Sequence, residues 1–364
     1  MPKLQKEEKL RAEEQTFFAA ANSGKGFVSF YNEIFNSEKI KRRYLIKGGP
    51  GTGKSTLMRS IADMAEEVGI KVLYYRCSSD PTSLDGIILN ESVAVIDSTA
   101  PHSVEAELSG ARDVIIDLGF FWNADRLYLE REKIKALTEQ KKRSYARAYH
   151  FLSSAMQSDT ASRELVVPYV DKRRIARIGK RLTREIESDG GYECRVGLSR
   201  AIGMSGRCAL ESYITLAKKI FYIEDCYGIA YILLCEICEV ARQKGCRIAI
   251  SYDPLTPDIP DSVFFEESKI LFVASNEKQK GKISLRRTVD FSGLSVDKKR
   301  AVKAKSRNAR QLSGVLVDAA TDELKDAADA HFELEKIYKA HMNFEALNEY
   351  AKKIKAQIVD FAAR

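Results

Sequence analysis

The chain has 364 residues, of which 45% are hydrophobic and 30% are charged, and its formal net charge is +8. This balance predicts a globular protein of two or three domains. Seven cysteines at irregular spacing argue against a disulfide framework and predict reduced thiols. Residues 1–15 are charged rather than apolar, and the longest apolar run, from Cys226 to Cys235, is too short to cross a bilayer. We therefore expect a cytoplasmic protein with no membrane partner.

The most informative motif lies between residues 48 and 56. Its residues are Gly48, Gly49, Pro50, Gly51, Thr52, Gly53, Lys54, Ser55 and Thr56. They contain a complete G-x-x-x-x-G-K-[ST] phosphate-loop pattern, in which glycines let backbone N–H groups turn towards phosphate oxygens. Lys54 is expected to reach the β and γ phosphates, and the Ser55 hydroxyl is expected to bind Mg²⁺. The motif predicts that the chain binds a nucleoside triphosphate.

The segments on either side of this motif are predicted to be a strand and a helix. A short apolar strand, residues 44–46, leads into it, and an amphipathic helix with Leu57, Ile61 and Ala65 on one face leaves it before Gly69. Strand, loop and helix are the setting in which the pattern binds phosphate.

The sequence also contains an internal duplication. A shift of 176 positions places residues 44–99 on residues 220–275 without a gap. The hydrophobic period agrees along this length. The helix positions that define the alignment are Leu57, Ile61, Ala65 and Gly69, matched by Leu233, Ile237, Ala241 and Gly245.

The duplication predicts an α/β fold of two tandem P-loop NTPase-like units, each a mostly parallel sheet flanked by helices. Residues 1–190 form the first unit and residues 191–364 the second. Each has a helical extension, residues 124–187 and 295–363, because these segments carry helical periodicity and few turn residues. The two units are expected to pack as an intramolecular pseudo-dimer.

The second copy has lost the phosphate-loop chemistry. Glu224 replaces Gly48, Ala230 replaces Lys54 and Tyr231 replaces Ser55. The lysine charge and the hydroxyl are absent, and the Glu224 carboxylate would repel a phosphate. The sequence therefore predicts one working nucleotide site, in the first unit, and a degenerate second unit.

Asp97 is the expected metal partner. It ends the apolar strand Val93–Asp97, about 43 residues after Lys54, as a Walker B aspartate does. We expect it to hold Mg²⁺ together with Ser55. Val273 takes its place in the second copy, so the carboxylate disappears together with the lysine and the serine.

The residue that activates water is not assigned by the sequence. Ser98 follows Asp97, where many P-loop ATPases have a glutamate. Asp80 lies in a loop after the second strand, where ligand-binding groups of open α/β sheets gather, and it is a candidate for a catalytic role. His102 is another candidate. Asp85 recurs as Asp261 in the degenerate copy, so we expect it to cap or brace a turn.

Two basic stretches follow in the helical extensions. The first comprises Arg173, Arg177, Lys180, Arg181 and Arg184, and the second comprises Lys298, Lys299, Arg300, Lys303, Lys305, Arg307 and Arg310. They suggest a solvated face, an acidic protein partner or a nucleic-acid partner, and one of these arginines is a candidate arginine finger. The rings of residues 120–122 are expected to pack the first extension onto the nucleotide-binding part.

The chain resembles a poorly characterised family of bacterial tandem P-loop ATPases. The resemblance rests on the phosphate loop, on residues 77–86, on Asp97 to His102 and on residues 331–344. In that family the second unit usually keeps its phosphate loop, and here it does not. The resemblance implies ATP binding and hydrolysis without indicating a substrate.

The expected function is Mg²⁺-dependent ATP binding and hydrolysis at the first loop, with Lys54 and Asp97 as principal catalytic residues. Two alternatives use the same loop. A small-molecule or nucleoside kinase is compatible with the absence of a glutamate after Asp97. A nucleotide-dependent switch or scaffold would bind ATP with negligible turnover.

Overall fold

The computed structural model describes residues 15–101, 104–188, 190–225, 227–275 and 282–364. His102, one of the candidate bases, and Cys226 of the degenerate loop lie outside these residues. The fold is α/β, with two mixed sheets of six strands each, flanked by helices.

Six strands from the first half of the chain form the first sheet. They are β1 (Gln15–Phe18), β4 (Arg42–Lys47), β5 (Val72–Arg76), β6 (Leu84–Leu89), β7 (Val93–Asp97) and β8 (Asp113–Asp117). Their order is β1-β5-β6-β7-β4-β8. Strand β6 runs antiparallel to both neighbours because short turns join it to β5 and β7, whereas the other pairs are parallel. The expected mostly parallel sheet is thus a mixed sheet with a single reversed strand.

The second sheet repeats this arrangement. Its strands are β9 (Glu193–Val196), β12 (Lys219–Glu224), β13 (Arg247–Tyr252), β14 (Pro260–Phe265), β15 (Ile270–Ser275) and β16 (Ile283–Ser284). Their order, β9-β13-β14-β15-β12-β16, matches the first sheet strand for strand, and β14 is again the reversed strand. Two sheets of one topology are compatible with two tandem units.

The smaller elements are repeated as well. A hairpin, β2 (Ala20–Ser23) and β3 (Gly26–Ser29), precedes the short helix α1 (Tyr31–Phe35), and β4 leads through the phosphate loop into α2 (Lys54–Glu67). The second set is β10 (Arg200–Gly203), β11 (Gly206–Ala209), α6 (Ser212–Leu216) and α7 (Ala230–Lys244). The glycine-rich segment at residues 22–27 is a hairpin turn, as the sequence predicts.

Long helices make up the two extensions. The first extension contains α3 (Ala124–Leu129), α4 (Arg131–Glu164) and α5 (Lys172–Leu182), and the second contains α8 (Val296–Ala340) and α9 (Phe344–Ala362). Helices α4 and α8 pack antiparallel around an apolar seam that includes Leu152 and Leu324. The hydroxyl groups of Ser162 and Ser306 are 2.8 Å apart, and Arg147 forms a 2.7 Å ion pair with Glu323, which fixes the register of the two helices.

The last helix of each extension covers the sheet of the other half. Ile175 of α5 and nearby Ile186 are buried in the second core beside α7, whereas Leu347 and Ile358 of α9 are buried in the first core beside α2. Each helix buries one apolar face, and that face fits the opposite sheet. A cut between residues 190 and 191 would therefore separate each core from one of its helices.

None of the helices formed by the described residues is long and apolar enough to span a membrane. Cysteines 77, 194, 208, 235, 238 and 246 are all free thiols, in agreement with the sequence expectation.

Candidate functional site

The first phosphate loop connects the end of β4 to the start of α2. Gly48, Gly51 and Gly53 have φ angles of 151°, 70° and 86°, in the region that side chains other than glycine rarely adopt. Gly53 caps α2, so the first free N–H groups of that helix open into the loop. The strand, loop and helix predicted from the sequence are therefore present.

Lys54 and Asp97 meet at this loop. The Lys54 ammonium donates hydrogen bonds to the carbonyl oxygens of Gly48 and Gly49, at 2.9 and 3.0 Å. It also lies 3.6 Å from the Asp97 carboxylate, with the two side chains 14% and 15% exposed. Strands β4 and β7 are parallel and place Ile46 opposite Asp97, which brings the carboxylate to the mouth of the loop.

Asp97 and Ser55 each have a further local partner. The Asp97 carboxylate accepts hydrogen bonds from the backbone N–H and the hydroxyl of Thr99, at 3.0 and 2.6 Å, and so braces the turn that follows β7. The Ser55 hydroxyl accepts a hydrogen bond from the N–H of Leu84 at 3.1 Å.

Asp85 is not a turn cap, so that prediction is wrong. It lies inside β6 and is 4% exposed. Burial and the nearby Asp97 carboxylate raise the pKa of Asp85 to about 8, although hydrogen bonds with Cys77 and Tyr31 oppose the shift. An acidic residue is uncommon inside a strand, so the sequence pattern favoured a turn.

Asp261 gives a comparison for Asp85. It occupies the equivalent place in β14, is equally buried and lies 3.4 Å from Arg200. Burial raises the pKa of Asp261 only to about 6, with Arg200 opposing the shift. Among nearby charges, the largest influence is that of an acid, Asp97, on Asp85 and that of a cation, Arg200, on Asp261.

Asp80 stabilises its own loop. Its carboxylate accepts hydrogen bonds from the N–H and the hydroxyl of Thr82, at 3.0 and 2.7 Å. This arrangement is an Asx-type turn. The catalytic role considered for Asp80 remains a prediction.

Helix α8 of the second extension packs directly on the loop. A Cβ atom at Gly51 would lie 2.8 Å from the carbonyl oxygen of Glu335, and one at Gly49 would lie 3.2 Å from the Trp122 ring. The Trp122 ring packs on Tyr338 of α8, with centroids 5.3 Å apart. No local sequence signal indicated this contact, because Gly51 and Glu335 are far apart in the chain.

In the ring contacts of the described residues, the aromatic residues 120–122 pack on the second helical extension and not on the first, so the predicted packing partner is wrong. Phe121 packs against the first core and against Tyr350, and Trp122 lies against the phosphate loop and α8. Phe120, in contrast, is 83% exposed.

Helix α4 approaches the same region from the other side. The Tyr145 hydroxyl donates a hydrogen bond to Ser79 Oγ at 3.1 Å. One turn earlier, Lys141 is half-buried, and burial together with the positive charge of Lys54 lowers its pKa. Across the helix pair, burial and the charge of Lys141 lower the pKa of His331 to about 4. The sequence did not indicate that Lys141 lies near Lys54.

In the second copy, a carboxylate of the chain itself occupies the start of the helix that follows the loop. The Asp225 carboxylate accepts a 2.9 Å hydrogen bond from the N–H of Ala230, the first residue of α7. Glu224 forms a 2.8 Å ion pair with Arg286. A carboxylate on the N–H groups at the start of α7 competes with phosphate for that position.

The arginines considered as arginine fingers that have a defined place in the fold lie on the side of the second sheet, on α5 or at the degenerate loop. Arg173, Arg177 and Arg181 lie on α5, which packs on the second sheet. Arg310 donates a 2.8 Å hydrogen bond to the carbonyl oxygen of Asp225 in the degenerate loop.

Among the described residues, no group of three or more His, Cys, Asp or Glu side chains is arranged to hold a metal ion. A metal at the first loop would therefore need ligands from the nucleotide and from water. The chain matched no protein-family model, no curated protein and no solved structure.

Proposed function

We propose that the chain is an Mg²⁺-dependent ATPase with one nucleotide site, at the first phosphate loop. The observation that carries the proposal is the 3.6 Å approach of Lys54 to Asp97 beside a glycine loop that opens a helix. A cation, a carboxylate and free helix N–H groups form the combination that binds a magnesium–nucleotide complex.

The loop residues fit a triphosphate. The Lys54 ammonium donates to the carbonyl oxygens of Gly48 and Gly49, and phosphate oxygens are stronger acceptors for a charged donor. Phosphate would therefore replace these carbonyl groups as the Lys54 partner. The positive φ angles at Gly51 and Gly53 are compatible with N–H groups directed at one anion.

Mg²⁺ fits the side chains beside the loop. Ser55 and Asp97 supply hard oxygen ligands, and Mg²⁺ usually keeps several waters and binds one or two carboxylates together with substrate phosphates. When bound, the ion neutralises phosphate charge. Asp97 would then exchange its Lys54 contact for the metal, while Lys54 turns to the phosphates.

In the proposed reaction, a water oxygen forms a bond to the γ-phosphorus, and the bond to the bridging oxygen breaks. The bridging oxygen keeps the electron pair and leaves with ADP, and the water protons pass to the phosphate product and the solvent. Lys54 contributes by stabilising the charge on the phosphates.

A nucleotide-dependent switch is the second candidate, and the contact between Gly51 and Glu335 favours it. A ligand that changes the shape of the loop would push on α8 and, through the helix pair, on the second half. A switch needs such a mechanical connection and does not need rapid turnover.

A partner for the basic helices remains a further proposal. Arg173, Arg177, Lys180, Arg181 and Arg184 are exposed, and none is found in an ion pair with another described residue. Exposed cations on α5 and just after it, with no ion pair to another described residue, support an acidic protein or nucleic-acid partner.

The experiment that tests the proposal follows the γ-phosphate of labelled ATP in the presence of Mg²⁺, with and without candidate acceptors. An ATPase releases inorganic phosphate, and Lys54→Ala abolishes the release. Transfer of the label to an acceptor would support a kinase. Tight binding without release would support the switch. Phosphate release by Lys54→Ala equal to that of the wild type would refute the proposal.

A further inference from the structure

Lys141 is held beside the first phosphate loop by its helix. It precedes Tyr145 by one turn of α4, so the two side chains lie on the same face. Tyr145 donates to Ser79, in the segment that joins β5 to β6. The other end of that segment, Leu84, donates to the Ser55 hydroxyl. The face of α4 that carries Lys141 therefore borders the nucleotide site.

Helix α8 completes the wall opposite α4. Its Glu335 carbonyl lies against Gly51, and His331, one turn earlier, has its Nε2 atom 3.7 Å from the Glu335 carboxylate. The antiparallel register fixed by Ser162 and Ser306 continues along the pair and brings His331 across from Lys141. The two helices thus carry one cation and one imidazole to the loop.

Lys141 has no carboxylate partner among the described residues, although it is half-buried. The influences on its pKa agree with this environment, since they are burial and the positive charge of Lys54. Burial of an ammonium without a counter-ion is unfavourable. Lys54 contacts Asp97, whereas Lys141 lies near Lys54 without an acid of its own, and a bound anion would supply that missing counter-charge.

The degenerate copy provides an internal control. An offset of 172 positions relates α3 to the start of α8 and α5 to α9, because Ala124 corresponds to Val296 and Lys172 to Phe344. By this offset Lys141 corresponds to Ser313, and His331 to Asp159. The half that lost its phosphate loop therefore has a serine at the position of this lysine and an acid at the position of His331, although Arg310 reaches its loop from another position.

We propose that Lys141 is the second cation of the nucleotide site and binds the terminal phosphate of the nucleotide held by Lys54. It takes the part that the sequence assigned to an unidentified arginine finger. In hydrolysis, Lys141 would stabilise the charge on the γ-phosphate oxygens while the bond to the bridging oxygen breaks. This inference rests on the proposed function, because it requires a triphosphate at the loop.

The terminal phosphate gives the proposal a specific signature. Lys141 would contact ATP through the γ-phosphate and would not contact ADP. Removal of its charge should therefore weaken ATP binding and leave ADP binding unchanged. A structural role for Lys141 would weaken both equally. The affinity ratio of ATP to ADP separates these roles, and it is measurable whether or not turnover is fast.

The test compares Lys141→Met, which keeps the apolar stem, with Lys141→Arg, which keeps the charge. Lys142→Met, an exposed neighbour, and Ser313→Ala, at the equivalent position, are the matched controls. We expect Lys141→Met to lower the ATP-to-ADP affinity ratio about tenfold, as loss of one charged contact does. We also expect it to lower turnover by at least about 100-fold, with partial rescue by Lys141→Arg.

Failure of the inference and failure of the proposed function look different. If the wild type binds ATP through Lys54 and Lys141→Met keeps the wild-type affinity ratio and turnover, the role of Lys141 is refuted and the ATPase proposal stands. An equal loss of ATP and ADP binding in Lys141→Met refutes it as well. If the wild type binds neither nucleotide, the proposed function itself is refuted.

Discussion

The carbonyl oxygen of Glu335 lies 2.8 Å from the point where a Cβ atom would stand on Gly51. The phosphate loop of the first half is thus in direct backbone contact with a helix of the second half. Such a contact leaves no room for a side chain on Gly51.

Gly51→Ala should therefore be more harmful than an ordinary glycine substitution. A left-handed alanine costs about 1–2 kcal/mol wherever it occurs, and at Gly51 the clash with Glu335 adds to that cost. Gly69→Ala is the control, because Gly69 has a similar φ of 80° with open space around it. Urea unfolding and ATP titration measure the difference. If Gly51→Ala and Gly69→Ala lost the same stability and bound ATP with the same affinity, the contact between Gly51 and Glu335 would have no effect.

Asp97→Asn should weaken the Mg²⁺ dependence of nucleotide binding. Loss of a carboxylate that orients or binds the metal lowers its affinity roughly 10–100-fold. Nucleotide binding in the presence of a chelator should not decrease. Asp117→Asn serves as the control, because Asp117 ends the adjacent strand β8 and only caps the following turn, through the N–H of Gly119 at 2.8 Å. An equal effect of both substitutions would exclude a specific metal role for Asp97.

Asp85→Asn should change how stability depends on pH. The pKa of Asp85 is raised to about 8 in the folded protein, so between its unfolded value near 4 and about 8 the folded state keeps a proton that the unfolded state releases. Stability from this group is complete at low pH and is lost as the pH rises through that window. Asparagine does not ionise, so the stability of the variant does not fall in this window. Its free energy of unfolding should therefore rise relative to that of the wild type by roughly 2–5 kcal/mol between pH 4 and pH 8.

Asp261→Asn is the matched comparison for this prediction. The pKa of Asp261 is raised only to about 6. The stability of Asp261→Asn relative to the wild type should therefore stop increasing near pH 6. Unfolding free energies from urea titration at pH 4, 6 and 8 in metal-free buffer separate the two windows. If the unfolding free energies of the wild type and of Asp85→Asn changed in parallel with pH, the raised pKa of Asp85 would be contradicted.

Ile358→Ala should destabilise the first half of the molecule, although it lies near the end of the second. Ile358 is fully buried in the first core through the exchange of α9. A cavity at this position costs about 2–5 kcal/mol. Hydrogen exchange should accelerate in β4 and β7 first, whereas Ile186→Ala should accelerate exchange in the second sheet. Gln357→Ala, at an exposed neighbour, should change neither. Faster exchange confined to the second sheet would contradict the helix exchange.

The sequence predicted the parts of the fold that depend on local pattern. Hydrophobic period located the repeated strand and helix around Leu57 and Leu233, and both are helical and buried as expected. The phosphate loop has its strand and helix, and Asp97 ends its strand beside Lys54. These features need only short-range spacing and the rule that adjacent parallel strands end at the same edge.

The remaining features depend on which distant surfaces fit together. The apolar face of α9 shows that the helix packs on something, and it does not show that the partner is the first sheet. For the same reason, the local sequence around Lys141 and Glu335 did not indicate that these residues lie near the loop. Asp85 was misplaced because a buried acid in a strand goes against local propensity, and only its surroundings explain its position.

The most direct test of the single-site account measures ATP binding by calorimetry in Mg²⁺ buffer for wild type, Lys54→Ala and Ala230→Lys. The account predicts one nucleotide per chain for the wild type and none for Lys54→Ala. It also predicts an unchanged stoichiometry for Ala230→Lys, because the Asp225 carboxylate still accepts the hydrogen bond at the start of α7. Binding that survives in Lys54→Ala, or a second nucleotide bound by the wild type, would contradict it.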